Sequence, residues 1–497
     1  MKMDEMLTCK NLSFSYNTEE DAVFQNVSLS VKEGEVVLLM GPSGCGKSTL
    51  AYCLSGLYPQ YSGTMQGEIL FEGESLSSFG PAMRSKKVSI LFQNPDDQFC
   101  MNRVDQEVLF ALENINYEGN MATRVQDILK KVGLEDHQRS MIQKLSGGMK
   151  QKLALGTALA TGAKMLILDE PFANLDPASC RSLANMLRRL NEEGITLFIV
   201  DHKLDWWKPF LTRVILMQTE GDLDENSIYP EELGSCRERF EKLGLFYTDS
   251  YEDSYLAGIN KPQVPDKGDV IMQAQDVFLF HEHKQCFMKH LNFSIPKGSV
   301  TSLVGRCGSG KTTLLYGMAG ILKCKGSMQS KGKIGLVFQN PRFQFLKLTI
   351  EDEILETLAM RDGKNADKDA MMREMEEALR SFGLWEYREH SPYAISQGQQ
   401  RRLALLSMLL CKADIMLLDE PTYAQDEKST KFILSLLAKR IEEGLTVIIA
   451  THDLMLAKTI SNQIFLVDDH KIKPLSENEM DDYMKGDEAY EVTEPCL

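Results

Sequence analysis

Short, predominantly apolar runs alternate along this chain with longer stretches that have the periodicity of amphipathic helices. In the first half these runs are VSILF, MLILD, TLFIV and VILM, at 88–92, 165–169, 196–200 and 214–217. Apolar runs without regular polar alternation are typical of strands that are buried on both faces. Because these runs alternate with helical stretches, the pattern predicts an α/β fold with a mostly parallel sheet core and helices on both faces.

Two glycine-rich segments mark the start of an internal repeat. GPSGCGKST (41–49) follows the apolar run 36–40, and GRCGSGKTT (305–313) follows the run 300–304. Both match G-x-x-x-x-G-K-[ST], in which a loop between a strand and a helix binds phosphates through its backbone N–H groups and lysine. Two matches in the same context predict two nucleotide sites.

The predicted contacts to nucleotide and metal follow directly from the motif. The predicted nucleotide-binding residues are Gly41, Pro42, Ser43, Gly44, Cys45, Gly46, Lys47, Ser48 and Thr49 in the first loop, and Gly305, Arg306, Cys307, Gly308, Ser309, Gly310, Lys311, Thr312 and Thr313 in the second. The hydroxyl groups of Ser48 and Thr312 are predicted to hold Mg²⁺. We interpret Cys45 and Cys307 as small loop residues, with a role for their oxidation as the alternative.

Four more pairs of segments follow in the same order in both halves. They are SILFQNPDDQF and GLVFQNPRFQF (89–99 and 335–345), KLSGGMKQKLALGTAL and AISQGQQRRLALLSML (144–159 and 394–409), MLILDEPFANLD and IMLLDEPTYAQD (165–176 and 415–426), and TLFIVDHK and TVIIATHD (196–203 and 446–453). The serine of the second segment lies 24 residues before the glutamate of the third in both halves. That glutamate lies 32 residues before the histidine of the fourth, again in both halves. The chain is therefore a tandem of two copies of one unit.

The second copy is shorter between the loop lysine and the glutamine of FQNP. This interval is 46 residues in the first copy and 28 in the second. In the first copy the segment 67–79 has alternating apolar residues, which predict peripheral strands. We therefore expect the second copy to have a trimmed edge and an intact core.

Charge divides the chain into four parts. The formal net charge is −16, and the segments 220–267 and 475–497 each contribute −7, so the two main bodies are nearly neutral. We predict a first domain at 1–230, an acidic linker at 231–268, a second domain at 269–474 and an acidic tail at 475–497. No basic patch stands out, which argues against nucleic acid as a partner.

Other features of the composition bear on the compartment. No run of 18 apolar residues is present, so we expect no membrane span. The first residues lack the apolar core of a signal peptide, and the eleven cysteines show no paired spacing. The expectation is a protein of the cytoplasm with reduced thiols.

The order of phosphate loop, glutamine loop, LSGG signature, Asp-Glu-Pro and histidine resembles that of the ATP-binding-cassette ATPases, over nearly the whole chain. The resemblance implies ATP and Mg²⁺ as cofactors, a helical subdomain that carries the signature, and two cassettes that enclose two ATP molecules head to tail. The signature residues are Ser146, Gly147 and Gly148 in the first copy and Ser396 and Gly398 in the second. Each set would act on the nucleotide held by the lysine of the other copy, so one chain would suffice for both sites.

The resemblance also implies roles for the other repeated residues. Phosphoryl transfer needs an acidic residue at Mg²⁺ and a group that orients or deprotonates the attacking water. The implied roles are Mg²⁺ binding for Asp169 and Asp419, sensing of Mg²⁺ and the γ-phosphate for Gln93 and Gln339, catalytic base for Glu170 and Glu420, γ-phosphate contact for His202 and His452, contact between the two sites for Asp176 and Asp426, and adenine stacking for Tyr16. The alternatives are a solvated strand end for the carboxylates, a passive histidine and a core aromatic residue.

One residue departs from the pattern. The second signature reads ISQGQ, with Gln397 where the first copy has Gly147. A side chain at this position can crowd a loop that approaches phosphate closely. We therefore expect the site formed with Lys47 to be slower than the other, with both sites hydrolytic.

The strings FQNPDDQF and FQNPRFQF resemble the glutamine loops of the energy-coupling-factor importers and the related cobalt or vitamin uptake ATPases. This resemblance implies a place on the cytoplasmic face of the cell membrane, peripheral to it. The implied partners are a transmembrane scaffold subunit and a small substrate-capturing membrane subunit, and the implied substrate is a vitamin-like or cobalt-type micronutrient. The alternatives are a soluble tandem-cassette ATPase acting on ribosomes, which the acidic linker disfavours, and a sugar-importer ATPase.

Overall fold

The chain folds into two compact units, 1–250 and 251–497, in a computed structural model. The structure describes residues 5–17, 22–60, 62–172, 175, 177–204, 206–224, 226–245, 261, 269–280, 286–306, 308–363, 367–422, 427–468, 470–481 and 483. No helix in this described part combines the length and the apolar character that crossing a membrane requires.

The first unit has a core sheet of five parallel strands in the order β6-β7-β8-β3-β9 and an antiparallel sheet in the order β2-β1-β4-β5. Its strands are β1 Glu5–Ser15, β2 Phe24–Lys32, β3 Val36–Met40, β4 Thr64–Phe71, β5 Glu74–Ser75, β6 Val88–Leu91, β7 Met165–Asp169, β8 Thr196–Val200 and β9 Arg213–Leu216. Its helices are α1 Lys47–Leu54, α2 Pro81–Lys87, α3 Val104–Asn114, α4 Met121–Lys131, α5 Gly147–Ala160, α6 Pro177–Glu192 and α7 Arg237–Leu243.

The second unit repeats this plan. Its core sheet has the order β14-β15-β16-β12-β17-β18, parallel except for β18, and its antiparallel sheet has the order β11-β10-β13. Its strands are β10 Val270–Phe280, β11 Cys286–Pro296, β12 Val300–Val304, β13 Cys324–Ser330, β14 Ile334–Val337, β15 Ile415–Asp419, β16 Thr446–Ala450, β17 Gln463–Asp468 and β18 Lys471–Leu475. Its helices are α8 Lys311–Met318, α9 Ile350–Asp362, α10 Lys368–Ser381, α11 Gln397–Leu410, α12 Glu427–Glu442 and α13 Leu454–Ile460.

The core sheet of the first unit is buried on both faces, as its apolar runs predict. Along β3, Val36 and Leu38 pack on one face with α3 to α6, whereas Val37 and Leu39 pack on the other face with α1 and the antiparallel sheet. Strands of this kind need apolar residues at every position because neither face meets water. The predicted α/β fold is confirmed, with the addition that an antiparallel sheet shares the second face with a helix.

The difference in length between the copies lies at the edge of the unit. In the first unit β5 and α2 stand between β4 and β6, whereas in the second unit β13 leads to β14 through residues 331–333 alone. The shortening therefore removes an edge strand and a short helix, and the parallel strands around the phosphate loop remain.

The first unit extends past residue 230, into the stretch 231–268 for which the charge pattern predicts a linker. A 3-10 turn at Pro230–Ser235 and α7 bring Leu233, Phe240 and Leu245 into its core. Residues 246–260 and 262–268 lie outside the described part. In the same way Met480, within the predicted acidic tail, is fully buried against the second unit.

We predict that Phe240→Ala lowers the free energy of unfolding of the first unit by ~3 kcal/mol, because it deletes a fully buried aromatic side chain. The chain has three tryptophans, and only Trp385 lies in the second unit. In a Trp385→Phe background, denaturant unfolding followed by tryptophan fluorescence therefore reports on the first unit. Tyr229→Ala, at an exposed position before the turn, is the control. Equal effects of the two changes would contradict the packing described.

Candidate nucleotide and catalytic sites

The first phosphate loop joins β3 to α1 and curls around its own lysine. Gly46 precedes α1 with φ 101°, a conformation that L side chains rarely adopt. A Cβ on Gly41 would lie 2.6 Å from the carbonyl oxygen of Met217, so only glycine fits there. Lys47 is buried, and its Nζ donates to the carbonyl oxygens of Gly41 and Pro42, both at 2.8 Å. The ammonium group is thus held over the loop, where nucleotide phosphates would lie.

The second loop has the same geometry. Gly310 precedes α8 with φ 110°, and a Cβ on Gly305 would lie 2.2 Å from the carbonyl oxygen of Val467. Lys311 Nζ donates to the carbonyl oxygens of Gly305 at 2.6 Å and Arg306 at 3.1 Å. Cys307 lies outside the described residues.

Each loop hydroxyl meets the first acid of its Asp-Glu-Pro segment. Ser48 Oγ donates to Asp169 Oδ1 at 2.9 Å, and Thr312 Oγ1 donates to Asp419 Oδ2 at 2.8 Å. Tyr52, which the sequence analysis did not single out, donates its hydroxyl to Asp169 Oδ2 at 3.2 Å. A hydroxyl and a carboxylate held side by side provide the oxygen ligands that Mg²⁺ prefers, so these residues fit the predicted metal.

The second acid of each segment meets the histidine. His202 Nε2 lies 2.9 Å from Glu170 Oε1, and His452 Nδ1 lies 3.0 Å from Glu420 Oε2. Both glutamates come directly after a central strand and are largely buried. The two sites thus contain the same pair of residues, although a different nitrogen of the imidazole ring makes the contact.

The two adjacent acids have different protonation behaviour. Burial, followed by the charge of Glu170, raises the pKa of Asp169 to about 7, and burial raises the pKa of Asp419 to about 6. Burial also acts to raise the pKa of each glutamate, but the neighbouring histidine and lysine outweigh it and lower the pKa of Glu170 and Glu420. An ionised glutamate beside a histidine is suited to act as a base towards water.

Both glutamates have a left-handed backbone conformation. The φ of Glu170 is 45° and that of Glu420 is 52°. Their N–H groups donate to the carbonyl oxygens of Val200 at 2.8 Å and Ala450 at 2.9 Å, which fixes each residue to the neighbouring strand. A non-glycine residue in this region costs ~1–3 kcal/mol and is typical of functional sites.

The two units differ in what else contacts the glutamate. In the first unit Gln93 Nε2 donates to Glu170 Oε2. In the second, Thr451 Oγ1 donates to Glu420 Oε2 at 3.2 Å. The residue that corresponds to Thr451 is Asp201, whose Oδ2 accepts from Trp207 Nε1 at 2.9 Å. Burial raises the pKa of Asp201, and Glu170 adds to this effect.

The signature residues begin the long helix of each helical subdomain. Ser146 is the N-cap of α5, and its Oγ accepts from the N–H of Met149 at 3.3 Å. Ser396 caps α11 in the same way and forms a capping box with Gln399. A Cβ on Gly148 would lie 2.8 Å from Ser179 Oγ, so this end of the helix is closely packed.

Tyr16 lies beside the first phosphate loop. The residue is 41% exposed, and its hydroxyl lies 2.9 Å from Thr49 Oγ1. The ring also makes edge contacts with Phe14 and Tyr58, at centroid distances of 5.1 and 5.9 Å. An exposed aromatic face at this place suits the predicted stacking on adenine. Asp176 and Asp426 lie outside the described residues.

Two buried glutamates that sequence reasoning missed hold the loop after each FQNP segment. Glu107 Oε2 accepts from the N–H groups of Cys100 at 3.0 Å and Met101 at 2.7 Å. Glu353 Oε2 accepts in the same way from Leu346 and Lys347, both at 2.8 Å. Burial raises the pKa of Glu107. The sequence does contain a sign of this role, because both copies have a glutamate at the same position of the helix. Glutamates on helices are ordinarily exposed, so this one was not singled out.

The glutamine of each QF pair fastens the same loop to the signature helix. Gln98 Nε2 donates to Thr157 Oγ1 at 3.3 Å, and Gln344 Nε2 donates to the carbonyl oxygen of Ala404 at 2.8 Å. The FQNPxxQF string is therefore a structural link between the glutamine loop and the helix that begins at the signature serine.

Comparison with known proteins gives consistent matches. The family model described as "ABC transporter" matches residues 24–173 and 288–423. The "Putative HMP/thiamine import ATP-binding protein YkoD" of Bacillus subtilis is 34% identical, covering 94% of this chain and 90% of that protein. A "Putative ABC transporter ATP-binding protein" of Methanosarcina acetivorans is 30% identical, covering 93% of this chain and 84% of that protein.

Solved structures of proteins with other names have a similar fold. The archaeal ribosome recycling factor aABCE1, solved with the ribosomal stalk protein aP1, has a TM-score of 0.61 and 20% identity, covering 96% of this chain and 92% of that one. The structure titled "RNase-L Inhibitor" has a TM-score of 0.60 and 19% identity, covering 96% of this chain and 93% of that one. At this identity the likeness extends to the fold alone.

We predict that Glu353→Ala lowers the free energy of unfolding of the second unit by ~1–3 kcal/mol, because the N–H groups of Leu346 and Lys347 lose their buried acceptor. Glu356→Ala, on the same helix, removes only a half-exposed ion pair with Lys347 and should change stability by less than ~1 kcal/mol. Denaturant unfolding followed by the fluorescence of Trp385, in a chain whose other two tryptophans are replaced by phenylalanine, measures both. Equal losses would show that Glu353 does not hold the loop.

Proposed function

Because this chain belongs to the ABC transporter family and is an ATP hydrolase, we propose that it is the tandem ATPase subunit of an energy-coupling-factor importer. In this proposal it drives uptake of a vitamin-like or cobalt-type micronutrient through separate membrane subunits, from the cytoplasmic face of the cell membrane. The observation that carries the proposal is the duplicated glutamate–histidine pair. It occurs in a chain that matches a relative named for import over 90% of that relative's length.

The two ATP sites are proposed to be composite. Lys47 and Lys311 would bind the outer phosphates, while the Ser48–Asp169 and Thr312–Asp419 pairs would hold Mg²⁺, which neutralises phosphate charge when bound. The signature serine of each unit would act on the nucleotide bound to the other. The position of both serines at helix N-termini supports this role, because N-terminal N–H groups favour bound anions.

Hydrolysis is proposed to use the glutamate–histidine pairs. Glu170 and Glu420 would accept a proton from the attacking water, and their lowered pKa keeps them ionised for this task. His202 and His452 lie within hydrogen-bond distance of these carboxylates and would orient both the water and the γ-phosphate. In the first unit Gln93 contacts Glu170. In this proposal Gln93 would turn to Mg²⁺ when the cassettes close. The orientation of the Glu170 carboxylate would therefore depend on the position of the glutamine loop.

A surface beside the second glutamine loop supports the membrane half of the proposal. Phe343, Leu346 and Leu348 are 75%, 72% and 84% exposed, three large apolar side chains within six residues. Exposed apolar clusters of this kind mark sites of interaction, and such a cluster suits the apolar face of a partner helix. We call this group the 343–348 surface and propose that a helix of the transmembrane scaffold covers it.

The corresponding surface of the first unit has different chemistry. By the alignment of the two FQNP segments, Asp97, Cys100 and Asn102 take the places of Phe343, Leu346 and Leu348. The neighbouring Asp96 is paired with Lys150 at 2.7 Å. We therefore propose that the scaffold presents two unlike helices, an apolar one to the second unit and a polar one to the first.

The B. subtilis relative is named for HMP/thiamine import, which supports a solute of that kind as a candidate substrate here. The substrate would be bound by the small capturing subunit and the scaffold, and this chain would supply only the energy for movement. A vitamin-like solute is the substrate class that this relative favours over a cobalt-type one.

We expect Glu170→Gln combined with Glu420→Gln to leave ATP binding intact and to reduce turnover by a factor of ~10²–10⁴, because water loses its base. The two single changes should cause unequal losses, since Gln397 and the different contacts of the two glutamates make the sites unlike. Glu135→Gln, at an exposed position, is the matched control. Hydrolysis at the unmodified rate in the double variant would remove the assignment of the bases, and equal single losses would contradict the asymmetry.

Purification from native membranes in mild detergent, with mass spectrometry, tests the importer. We expect a polytopic scaffold and small hydrophobic proteins to accompany the chain. Leu348→Asp should reduce their recovery about tenfold, because an apolar contact is replaced by a desolvated charge. Met83→Asp, at a half-exposed position of α2, should not. Ribosomal proteins without a membrane partner would overturn the proposal in favour of a soluble factor.

A further inference from the structure

Arg401 lies where the signature helix of the second unit meets its catalytic edge. It is the fifth residue after Ser396 and is only 7% exposed. Its Nη1 donates to the backbone carbonyl oxygen of Glu420, and its Nη2 donates to that of Gln339 at 2.8 Å. One planar guanidinium thus joins the proposed base to the glutamine loop.

The bonds of Arg401 explain how a charged group can be buried at this place. Burying a cation is costly unless it is paired or hydrogen-bonded, and two backbone carbonyl groups provide acceptors here. One of these carbonyls belongs to Glu420, whose left-handed φ of 52° makes its peptide a strained one. Burial raises the pKa of Asp419, and the charge of Arg401 acts in the opposite direction with a smaller effect.

The first unit lacks this connection. Gln151, the fifth residue after Ser146, is 1% exposed, and neither atom of its side-chain amide has a hydrogen-bond partner among the described residues. There the glutamine loop reaches the base through a side chain, because Gln93 donates to Glu170. A side-chain bond is lost when the glutamine turns to another ligand, whereas bonds from Arg401 to backbone carbonyls do not depend on the Gln339 side chain.

We propose that Arg401 is a positioning residue that clamps the backbones of Gln339 and Glu420 together, so that the second site keeps its base aligned throughout the cycle while the first does not. Gln151 makes the first site the looser of the two. The inference rests on the proposed catalytic role of Glu420, but the clamp itself is a property of the chain alone. Any movement of the second glutamine loop by a partner is thereby passed to Glu420 through one side chain.

Hydrogen exchange with mass spectrometry tests the clamp on the full chain without a membrane partner. In the unmodified protein we expect the second glutamine loop, 337–346, to exchange more slowly than the first, 91–100. Arg401→Gln copies the first unit and should speed exchange of the second loop about tenfold, while leaving the first loop unchanged. Arg401→Lys keeps a cation that can reach one carbonyl and should give an intermediate rate.

Arg402→Gln is the matched control. Arg402 is the next residue of the same helix, and its Nη1 donates to the carbonyl oxygen of Phe382 at 3.0 Å, away from the glutamine loop. This variant should leave exchange at 337–346 unchanged. Unchanged exchange of that loop in Arg401→Gln would overturn the proposal, as would faster exchange across the whole second unit, which would indicate a general loss of stability.

Kinetics separates positioning from binding. In a Glu170→Gln background, Arg401→Gln should lower kcat for ATP about tenfold with little change in KM, because the base is misplaced and the phosphate loop is not. In a Glu420→Gln background, the same change should leave the remaining turnover within about twofold. Equal losses in both backgrounds would contradict the proposal. A failure of the importer assignment alone would alter none of these results, since no transport partner is present.

Discussion

The chemistry of each unit depends on how two adjacent acids are buried together at the end of one strand. Asp169 and Glu170 follow β7 directly, and two like charges at that place need separate compensation. Hydroxyl groups contact Asp169, and the imidazole of His202 contacts Glu170. Burial and the charge of Glu170 still raise the pKa of Asp169, whereas His202 and Lys47 outweigh burial and lower the pKa of Glu170. Ser48 of the phosphate loop, Gln93 of the glutamine loop and His202 each contact one of these two acids, so the pair connects the three segments.

Much of this arrangement could be predicted because it depends on local sequence. A strand, a tight glycine turn and a helix start are encoded within the fourteen residues 36–49, and the ends of parallel strands meet at one edge of a sheet. Glu107, Glu353 and Arg401 escaped prediction because their partners are backbone groups, which every residue carries and no motif marks. The extension of the first unit to Leu245 was missed for a related reason, since three widely spaced apolar residues within an acidic stretch decide it.

The two units place equivalent residues at equivalent positions, but different hydrogen bonds connect these residues. Gln93 contacts Glu170 in the first unit, whereas Thr451 contacts Glu420 in the second. The signature helix carries Gln151 in the first unit and Arg401 in the second. Neither difference alters the sheet, because each lies where a loop or a helix end meets the strands.

The left-handed backbone conformation of Glu170 and Glu420 lowers the stability of the fold at two positions where the proposed activity requires a carboxylate. Glycine would relax either position, because it adopts positive φ without steric cost, yet it would remove the carboxylate. Selection for a more stable chain therefore favours replacement of these residues, whereas selection for turnover retains them if they are the bases proposed above. The presence of both glutamates accords with the proposal that both units hydrolyse ATP.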